Sequence, residues 1–554
     1  MSSEKNDILR NVYLVYFIVV LVGCAIIGKA IYIQAIEGEM WREKGKIMNL
    51  KVEKIEAVRG NIMASDGSLL AASVPLFNLR MDAGNTHYND EYFYDNVDSL
   101  AWHLSNLFKD RTKSKYKQEL VNARKSNNRY LLLKRDITFD QLKKVRRFPI
   151  FRDGKYKGGI IAEQKSKRVL PNQWLAFRTI GWDKDGTKND VGLEGAYSEI
   201  LQGESGSRLM QRIGSGAWRP TNEENEIEPK DGHDIITSID INIQDVAEDA
   251  LMRQLIENEA DHGCAVLMEV NTGFIVAIAN LGKNEKGFYE EKLNYALAES
   301  SEPGSTFKTA SLLAALDEGL IDLDDIVDTE DGTTRFANRT MRDSHKGGYG
   351  QISVGRAFEL SSNVGISKAI VKAFKSEPQR LIDKLYFMRL NQPLGMDIPG
   401  EGHPQIKSTD DKYWSKVSLP WMSIGYEIKL TPLQTLAFYN AIANNGQMVK
   451  PQFIKEIRAA GIVTQKFEPI VLKEKIVSNQ NSIDQLKKLL ESVVEKGTAT
   501  NLRNSVYKIA GKTGTAQIAQ NNKGYNKSNY KASFVGYFPA DNPKYSCIVV
   551  INNP

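Results

Sequence analysis

The chain has 554 residues, which is too many for one hydrophobic core, so its length predicts two or three domains. Its 42% hydrophobic and 25% charged residues exclude a disordered protein. The net charge of +5 does not by itself indicate a nucleic-acid partner, but it is unevenly distributed. Residues 109–168 hold 20 Lys/Arg against 6 Asp/Glu, so one region of the chain is strongly basic.

The first segment of note is apolar. Val12 to Gly28 is a run of 17 residues without a charge, and Ala30 to Ile33 extends it after one lysine. This length is near the lower limit for a helix that spans a membrane. A cleaved signal peptide is the competing interpretation, but no small-x-small site follows the run before Glu37. We therefore expect a cytoplasmic tail over 1–11 and a retained anchor over 12–36, with the large C-terminal body outside the cytoplasm.

The region over 37–230 predicts a mixed α/β domain with long insertions. Lys51 to Val58 alternates between polar and apolar residues in the manner of a strand. Asp66-Gly67 is typical of a hairpin turn, and Pro229 to Gly232 of a domain boundary. Two further segments have helical spacing: Leu100–Phe108 and Phe139–Val145.

The region over 231–554 predicts a second domain with strands at both ends and helices between them. Near its start, the pattern predicts a strand over Ile235–Ile239, a helix over Ile243–Glu257 and a hairpin of Cys264–Val270 with Phe274–Ala279. A mostly helical stretch runs from about Ser305 to Leu502. The final strands are predicted at Tyr507–Ala510, Ser533–Phe538 and Tyr545–Ile551. This order predicts one sheet of sequence-distant strands, packed against a helical lobe.

Three short elements occur in order and far apart: Ser305-Thr-Phe-Lys308, Ser361-Ser-Asn363 and Lys512-Thr-Gly514. Ser-x-x-Lys alone carries little weight, because the same spacing recurs in other parts of the chain, whereas Lys-Thr-Gly occurs once. The bland interpretation is a capping serine, a surface lysine and a turn glycine in an inert protein. The order of the three elements, and the apolar helix behind the first, favour a catalytic site instead.

The chemistry of a nucleophilic serine asks for residues of these types. A serine hydroxyl is a weak nucleophile until a base takes its proton. At positions i and i+3 of a helix that begins after Pro303-Gly304, Ser305 and Lys308 share one face, at the positive end of the helix dipole. Lys308 serves as the base only if burial or neighbouring charges lower its pKa. Asn363 is a candidate to orient Lys308 and a substrate amide, and Ser361 to pass a proton to a leaving amine.

The third element, Lys512-Thr513-Gly514, precedes a strand-like end of the chain and suits the edge of a sheet. A lysine attracts a substrate carboxylate, a threonine hydroxyl donates a hydrogen bond to it, and a glycine leaves room for close approach.

These elements resemble the signature of the serine penicillin-recognising enzymes. Their context is similar to that of class B penicillin-binding proteins, and the resemblance covers about residues 40–554. The segments that carry it are Glu302-Pro-Gly-Ser-Thr-Phe-Lys308, Arg59-Gly-Asn-Ile62 with Asp66-Gly67, Gly192-Leu-Glu194, Asp231-Gly232 with Thr237-Ser-Ile-Asp240 and Gln244, Asp343-Ser-His345, Ser423-Ile-Gly-Tyr426 with Thr431-Pro-Leu-Gln434, and Ser533-Phe-Val-Gly-Tyr-Phe-Pro539.

The resemblance implies an α/β multidomain fold. A transmembrane helix is followed by a pedestal (dimerisation-like) domain over 37–230. A transpeptidase domain over 231–554 follows, with a five-stranded antiparallel sheet and a helical lobe, like the serine β-lactamases.

It also implies a serine-type D-Ala-D-Ala transpeptidase with the chemistry of the carboxypeptidase class of hydrolases. Ser305 attacks the D-Ala–D-Ala bond of a stem pentapeptide, and an amine of a neighbouring stem takes up the acyl group. The backbone N–H groups of Ser305 and Thr515 form the oxyanion hole. Thr513 and Thr515 hold the terminal carboxylate beside Lys512, and β-lactams inhibit by acylating the serine.

Glu302 and Thr513 are more similar to the division-specific, FtsI-type members than to the elongation-specific ones, which remain the alternative. The resemblance therefore implies septal cell-wall synthesis at the inner (cytoplasmic) membrane, with catalysis on the periplasmic or extracellular side. A β-lactam sensor or a non-catalytic scaffold is a second alternative. A β-lactamase is disfavoured because no clear Glu-x-x-x-Asn element lies between Ser361 and Lys512. The glycosyltransferase signature of class A proteins is absent from 37–230.

The partners implied are therefore peptidoglycan stem peptides, β-lactams, membrane lipid, a SEDS-type glycosyltransferase and other division proteins, but no nucleic acid. The sequence departs from the family at Glu427, where many relatives have glycine. It also stops at Pro554, soon after the last apparent strand, where relatives continue into a helix and some add PASTA modules. We expect a transpeptidase domain truncated at its C-terminus.

The remaining features have mainly structural interpretations. The basic stretch is either a solvated face or a surface for anionic lipid, a precursor pyrophosphate or an acidic partner. His345 is expected at a pocket rim or in a structural role, and Arg59, Arg168 and Glu194 are expected to form ion pairs of the pedestal. The histidines and cysteines lack metal-ligand spacing, so we expect no metal and no cofactor. We also expect no disulfide between Cys264 and Cys547.

Overall fold

The computed structural model describes residues 2–85, 87–183, 191–212, 218–220, 227–520 and 524–554. In chain order, the helices are α1 Ser2–Ala35, α2 Gly38–Asn49, α3 Asp90–Phe108, α4 Lys113–Lys125, α5 Phe139–Val145, α6 Gly154–Lys157, α7 Phe177–Ile180, α8 Gly192–Ala196, α9 Ser198–Gln202, α10 Ile241–Glu257, α11 Tyr295–Ala298, α12 Lys308–Asp317, α13 Val354–Glu359, α14 Asn363–Phe374, α15 Pro378–Phe387, α16 Ser418–Met422, α17 Pro432–Ala443 and α18 Gln480–Lys496.

The strands, in the same order, are β1 Leu50–Ile55, β2 Ile62–Met63, β3 Leu69–Met81, β4 Leu131–Ile137, β5 Ile160–Val169, β6 Gly206–Arg212, β7 Trp218–Pro220, β8 Asp234–Thr237, β9 His262–Glu269, β10 Ile275–Lys283, β11 Tyr289–Glu290, β12 Ile326–Asp328, β13 Thr333–Phe336, β14 Arg339–Arg342, β15 Gln351–Ser353, β16 Gln405–Ile406, β17 Ile428–Lys429, β18 Met448–Val449, β19 Ile454–Ala459, β20 Ile462–Lys466, β21 Val471–Lys473, β22 Ala510–Gln520, β23 Gly524–Phe538 and β24 Tyr545–Asn552.

The N-terminal helix α1 contains the apolar run. Over Ile8–Ala35 it has 28 residues with a mean hydropathy of 2.5, and its side chains are not buried against the rest of the chain. By length and composition, this segment is able to cross a membrane. It includes the whole of the apolar run that the sequence singled out.

The chain divides into two compact units, and each is interrupted in sequence. The first unit comprises Met1–Val58, Pro75–Lys165 and Gly203–Asp231. Within it, β1 pairs with β6 and β6 with β7, all antiparallel. A separate core forms between α3, α4 and neighbouring strands, where Phe93, Leu104 and Tyr116 are fully buried. The predicted helix over Phe139–Val145 is present, and a Thr138–Gln141 capping box begins it.

The basic stretch lies in this first unit as far as Lys165, and several basic residues of its N-terminal half form local ion pairs. Lys113 and Lys117 both contact Asp98, and Arg111 contacts Glu119 at 2.6 Å. Three more basic residues are paired in the same way: Arg124 with Asp90, Arg129 with Asp82 and Lys134 with Asp110. These contacts fit the interpretation of this half as a solvated face.

The second unit comprises Arg59–Val74, Ser166–Gln202 and Gly232–Pro554. Its main sheet has the antiparallel order β11-β10-β9-β24-β23-β22. Five of these strands are long, as expected, and β11 adds a two-residue edge. The central strand β9 pairs Val266 with Ile278 on one side and with Ile548 on the other. The expected sheet of sequence-distant strands is therefore confirmed.

Two sequence expectations need correction in this unit. The strand predicted at Tyr507–Ala510 is displaced, because β22 begins at Ala510 and continues through Lys512-Thr-Gly514. Glycines disfavour a strand in isolation, but this one is held by continuous pairing with β23. The stretch from Ser305 to Leu502 is also less helical than expected, since short strands β12 to β21 interrupt it.

The helix α17 is buried along its whole length and packs on β23 and β24 of the main sheet. A buried carboxylate fixes another part of this unit. Glu194 is 2% exposed and lies 2.9 Å from the Arg59 guanidinium and 2.6 Å from that of Arg168. The expected ion pairs of these three residues are present, and all three lie in the second unit.

Candidate active site

Ser305 lies in a 3-10 turn, Gly304–Phe307, that leads directly into α12. The sequence predicted an α-helical start here. In a 3-10 turn, residues i and i+3 are eclipsed, so Ser305 and Lys308 still share one face. Gly304 has a φ of 59°, and a Cβ on it would lie 2.8 Å from the Ala516 Cβ of β22. Both the left-handed backbone and this close approach require glycine before the serine.

Lys308 is completely buried at the start of α12. Its Nζ donates to the Ser361 carbonyl oxygen at 2.6 Å and lies 3.2 Å from the Ser361 hydroxyl. Burial, and then the charge of Lys512, hold the pKa of Lys308 well below its usual value, and the Asp343 carboxylate opposes them. The structure therefore brings Lys308 and Ser361 together, and the lowered pKa of Lys308 favours its neutral form.

Ser361 and Asn363 lie on either side of the start of α14. Ser361 has a φ of 57°, an uncommon conformation for a residue other than glycine. Asp343 stabilises the turn, because its carboxylate accepts the Ser362 hydroxyl and the N–H groups of Asn363 and Val364 at 2.5 to 2.9 Å. Such a carboxylate at a helix N-terminus also interacts favourably with the helix dipole.

The Asn363 side chain does not take the place expected of it. Its amide donates to the Arg342 carbonyl oxygen at 2.8 Å, and among the hydrogen bonds of the described residues none joins it to Lys308. The backbone of the strand β14 therefore holds this amide, and the amide oxygen is the part left for a substrate.

Lys512 lies on β22, which is the edge strand of the sheet, as the sequence indicated. Its side chain is fully buried, and burial lowers the pKa of Lys512 to about 7. The ammonium lies 3.1 Å from the Thr513 carbonyl oxygen and 5.7 Å from the centre of the Phe358 ring. The Lys512 ammonium is thus buried beside an aromatic ring, and its one hydrogen bond among the described residues is to that carbonyl oxygen.

The rest of the Lys-Thr-Gly-Thr segment shows why its residue types matter. The Thr513 hydroxyl lies 2.6 Å from that of Thr498, and Thr515 is exposed. A Cβ on Gly514 would lie 2.4 Å from the Ser533 hydroxyl and 2.9 Å from the Thr306 methyl. Glycine is therefore needed for β22 to approach the turn that carries Ser305.

Comparison with known proteins agrees with this geometry. The family model of the penicillin binding protein transpeptidase domain matches residues 263–554, which is more than half of the chain. The family model of the penicillin-binding protein dimerisation domain matches residues 54–237. The chain belongs to the class B penicillin-binding proteins. The predicted family and its two-domain fold are confirmed, whereas the exact domain boundaries stay predictions.

The relatives of this chain have a low sequence identity to it, but they align with most of its length. A probable peptidoglycan D,D-transpeptidase PbpC of Pseudomonas aeruginosa is 26% identical over 100% of this chain and 92% of its own length. The peptidoglycan D,D-transpeptidase FtsI of Escherichia coli is 25% identical over 96% and 87%. The crystal structure of penicillin binding protein 2X from Streptococcus thermophilus has a TM-score of 0.75 at 22% identity, covering 91% of this chain and 77% of that one.

In this class B penicillin-binding protein, several residues that support the site were not found from the sequence. The Tyr439 hydroxyl donates to the Thr306 carbonyl oxygen at 2.8 Å and lies 2.5 Å from the Thr309 hydroxyl. Thr498 and Lys531 also contact segments of the site. Each comes from an element far away in sequence, and none belongs to one of the three motifs, so periodicity gave no signal for them.

Two residues that the sequence singled out lie beside the site. The His345 ring stacks on Tyr349 at 4.9 Å, which fits the expected structural role. Glu427 has a φ of 59°, in the region that favours glycine. Its backbone N–H donates to the Glu302 carboxylate at 2.9 Å, and its own carboxylate accepts the Ser418 hydroxyl at 2.8 Å. The departure from the family is therefore accommodated by local polar contacts.

The described part of the chain contains no cluster of three or more His, Cys, Asp or Glu side chains that is able to hold a metal ion. Cys264 and Cys547 are free, on the neighbouring strands β9 and β24. The register pairs Cys264 with Val550 and Cys547 with Leu267, which separates the two sulfurs along the strands.

Proposed function

We propose that this protein is a peptidoglycan D,D-transpeptidase that works through an acyl-enzyme on Ser305. The observation that carries the proposal is the buried Lys308, one helical turn from Ser305, with its Nζ 3.2 Å from the Ser361 hydroxyl. A lysine whose pKa is lowered by burial is able to act as a base at neutral pH. The names of the relatives support the same reaction.

In the acylation step, neutral Lys308 takes the proton of the Ser305 hydroxyl as its oxygen attacks the D-Ala–D-Ala carbonyl carbon. The backbone N–H groups of Ser305 and Thr515 stabilise the oxyanion. The C–N bond then breaks, and Ser361 relays a proton to the departing amine of D-alanine. In the second step, an amine of a neighbouring stem attacks the acyl carbon and loses its proton to Lys308. The ester C–O bond then breaks, and the Ser305 oxygen takes up that proton as it leaves.

The substrate carboxylate binds at the edge strand β22. The hydroxyl groups of Thr513 and Thr515 donate to it, and the Lys512 ammonium attracts it. The Asn363 amide oxygen accepts the N–H of a substrate amide. β-Lactams acylate Ser305 in the same geometry, because their strained amide occupies the position of the D-Ala–D-Ala bond.

The anchor and the relatives support a proposal for the location and the biological role. The helix α1 and the family membership indicate a membrane-anchored protein. We place the catalytic unit on the outer side of the cytoplasmic membrane and assign it to septal synthesis, since an FtsI is among the relatives. A SEDS-type glycosyltransferase supplies the glycan strands, with other division proteins as partners.

The test labels the purified full-length protein with a fluorescent penicillin and follows the label over hours. Ser505 is an exposed serine that has the same spacing to Lys508 outside the site, and Ser505→Ala therefore serves as a control. Wild type and Ser505→Ala should give a stable label, and Ser305→Ala none. A label lost in seconds would instead indicate a β-lactamase. A second assay offers a stem pentapeptide with an acceptor amine. Release of D-alanine with a cross-linked product supports the transpeptidase, and stable label without release indicates a sensor or scaffold.

A further inference from the structure

Lys531 is a buried lysine that the proposed mechanism does not use. It lies on β23 with 7% of its surface exposed. Its Nζ donates to the Ser301 hydroxyl at 2.7 Å and to the Glu302 carbonyl oxygen at 2.5 Å. Burial lowers the pKa of Lys531 to about 8, against the opposing charges of Glu299 and Glu302. Burying an ammonium costs free energy, so a buried lysine at this position needs an explanation.

The two partners of Lys531 belong to the segment that leads directly to Ser305. The other side of this segment is attached through its backbone. Ser301 exchanges two backbone hydrogen bonds with Leu430, and the Gly304 N–H donates to the Gly425 carbonyl oxygen at 3.1 Å. Lys531 attaches the same segment to the main sheet.

The position of Lys531 on the sheet connects this attachment to the oxyanion hole. On β23, Lys531 is opposite Ala516 of β22, and the next residue pairs with Thr515. Ala516 is also the residue that a Cβ on Gly304 would approach most closely. The segment before Ser305 and the strand that carries the Thr515 N–H are therefore joined at one point by a packing contact and a side-chain tether.

We propose that Lys531 is a positioning residue for Ser305. Its two hydrogen bonds hold the turn that carries the nucleophile at a fixed distance from the Thr515 N–H. A misplacement of about 1 Å is able to cost roughly 100-fold in rate. The inference rests on the proposed acylation of Ser305, and it concerns the rate of that step rather than the binding of the ligand.

The test compares Lys531→Met with wild type in the full-length protein. Methionine has a similar volume and no donor, and it removes the cost of burying an ammonium. Acylation by a fluorescent penicillin is measured at increasing concentrations, which separates the first-order acylation rate from the dissociation constant. We expect the rate to fall about 10- to 100-fold, with a dissociation constant within about threefold of wild type.

The controls separate positioning from general stability. Lys487→Met removes another lysine whose pKa is lowered by burial, one bonded to Asn445 in the helical lobe, and should acylate like wild type. Ser301→Ala removes one of the two tether bonds and should slow acylation less than Lys531→Met does. Combined with Lys531→Met, it should add little, because the two changes break the same contact.

The possible results are distinct. If Lys531→Met unfolds at the temperature of wild type, or higher, while acylating slowly, the positioning role is supported. If it acylates at the rate of wild type, or if its loss of acylation matches a loss of folded protein that Ser301→Ala does not reproduce, the inference is wrong. If wild type itself is not acylated, the proposed function fails, and this result is distinguishable from both others.

Discussion

Asp343 accepts the backbone N–H of Asn363 at 2.5 Å, and this contact ties the Asp343-Ser-His segment to the helix α14. The same carboxylate receives the Ser362 hydroxyl and the N–H of Val364. It therefore fixes the turn that carries Ser361, and it acts on Lys308 through its charge. One side chain thus influences both the position of the proposed proton relay and the protonation of the proposed base.

Replacing Asp343 by asparagine should separate these two effects. The amide oxygen is still able to accept the backbone N–H groups, but the negative charge that raises the pKa of Lys308 is removed. The pKa of Lys308 therefore falls further, and its neutral form persists to lower pH. We expect the acidic limb of the pH profile of penicillin acylation to move to lower pH. Asp343→Ala should in addition cost about 1 kcal/mol of stability, as the loss of a helix cap does. An unchanged acidic limb in Asp343→Asn would contradict the electrostatic role.

Lys512→Met should stabilise the protein in a pH-dependent way. The pKa of Lys512 is lowered from 10.5 to about 7 by burial. Between these values the unfolded chain binds a proton that the folded protein does not, so the stability of wild type rises with pH across this window. Below pH 7 the burial cost is fully present. We expect Lys512→Met to be more stable than wild type at pH 7, with a difference that shrinks towards pH 10. Urea midpoints at four pH values test this, and a pH-independent difference would contradict the assignment.

Glu194→Gln should destabilise the protein without a specific effect on catalysis. Glu194 is buried between Arg59 and Arg168, and its neutralisation leaves Arg168 without its carboxylate partner, whereas Arg59 keeps an ion pair with Asp183 at 3.0 Å. Such changes cost about 3 to 5 kcal/mol. Glu204→Gln is the matched control, because its ion pair with Lys230 is exposed, and it should change the free energy of unfolding much less than Glu194→Gln does. Acylation per folded molecule should be unchanged in both, and a selective loss in Glu194→Gln would assign this carboxylate to the site.

Thr498→Val should weaken ligand binding rather than slow the chemical step. The Thr498 hydroxyl lies 2.6 Å from that of Thr513, the proposed donor to the substrate carboxylate. Either hydroxyl is able to donate in this pair. With ligand bound, we expect Thr498 to be the donor, because the Thr513 proton is then left for the ligand, and one such bond contributes about 0.5 to 1.5 kcal/mol. We therefore expect the dissociation constant for penicillin to rise about 2- to 10-fold, with an unchanged acylation rate. Thr500→Val, in the exposed turn two residues on, serves as the control. A change confined to the acylation rate would contradict this role.

The sequence was sufficient for the parts of the site that depend on local spacing. Ser305 and Lys308 were predicted to share a face, and they do so even though the turn is 3-10 rather than α. The edge position of Lys512 was also predicted, but its strand was not, because Gly511 and Gly514 weaken the local strand signal. The pairing with β23 overrides that weakness, and only the three-dimensional structure contains it.

The residues that sequence reasoning missed are those whose contacts join distant segments. Lys531 resembles any other lysine in a short Ser-x-x-Lys pattern, and its burial depends on how β22, β23 and β24 assemble. Thr498 lies in a loop after α18 and reaches Thr513 only when that loop packs on the sheet. The side chain of Asn363 was a candidate to orient Lys308, but its amide donates to the Arg342 carbonyl oxygen, a contact that the sequence did not indicate.

The order of the main sheet has a consequence for how the protein matures. The hairpin of β9 and β10 is made early, yet the other long neighbour of β9 is β24, close to residue 554. During synthesis, one edge of this hairpin stays unpaired until β24 has been made, which happens only after the whole helical lobe. Exposed strand edges of this kind are prone to aggregation, so we expect the chain to depend on chaperones until β24 has been synthesised.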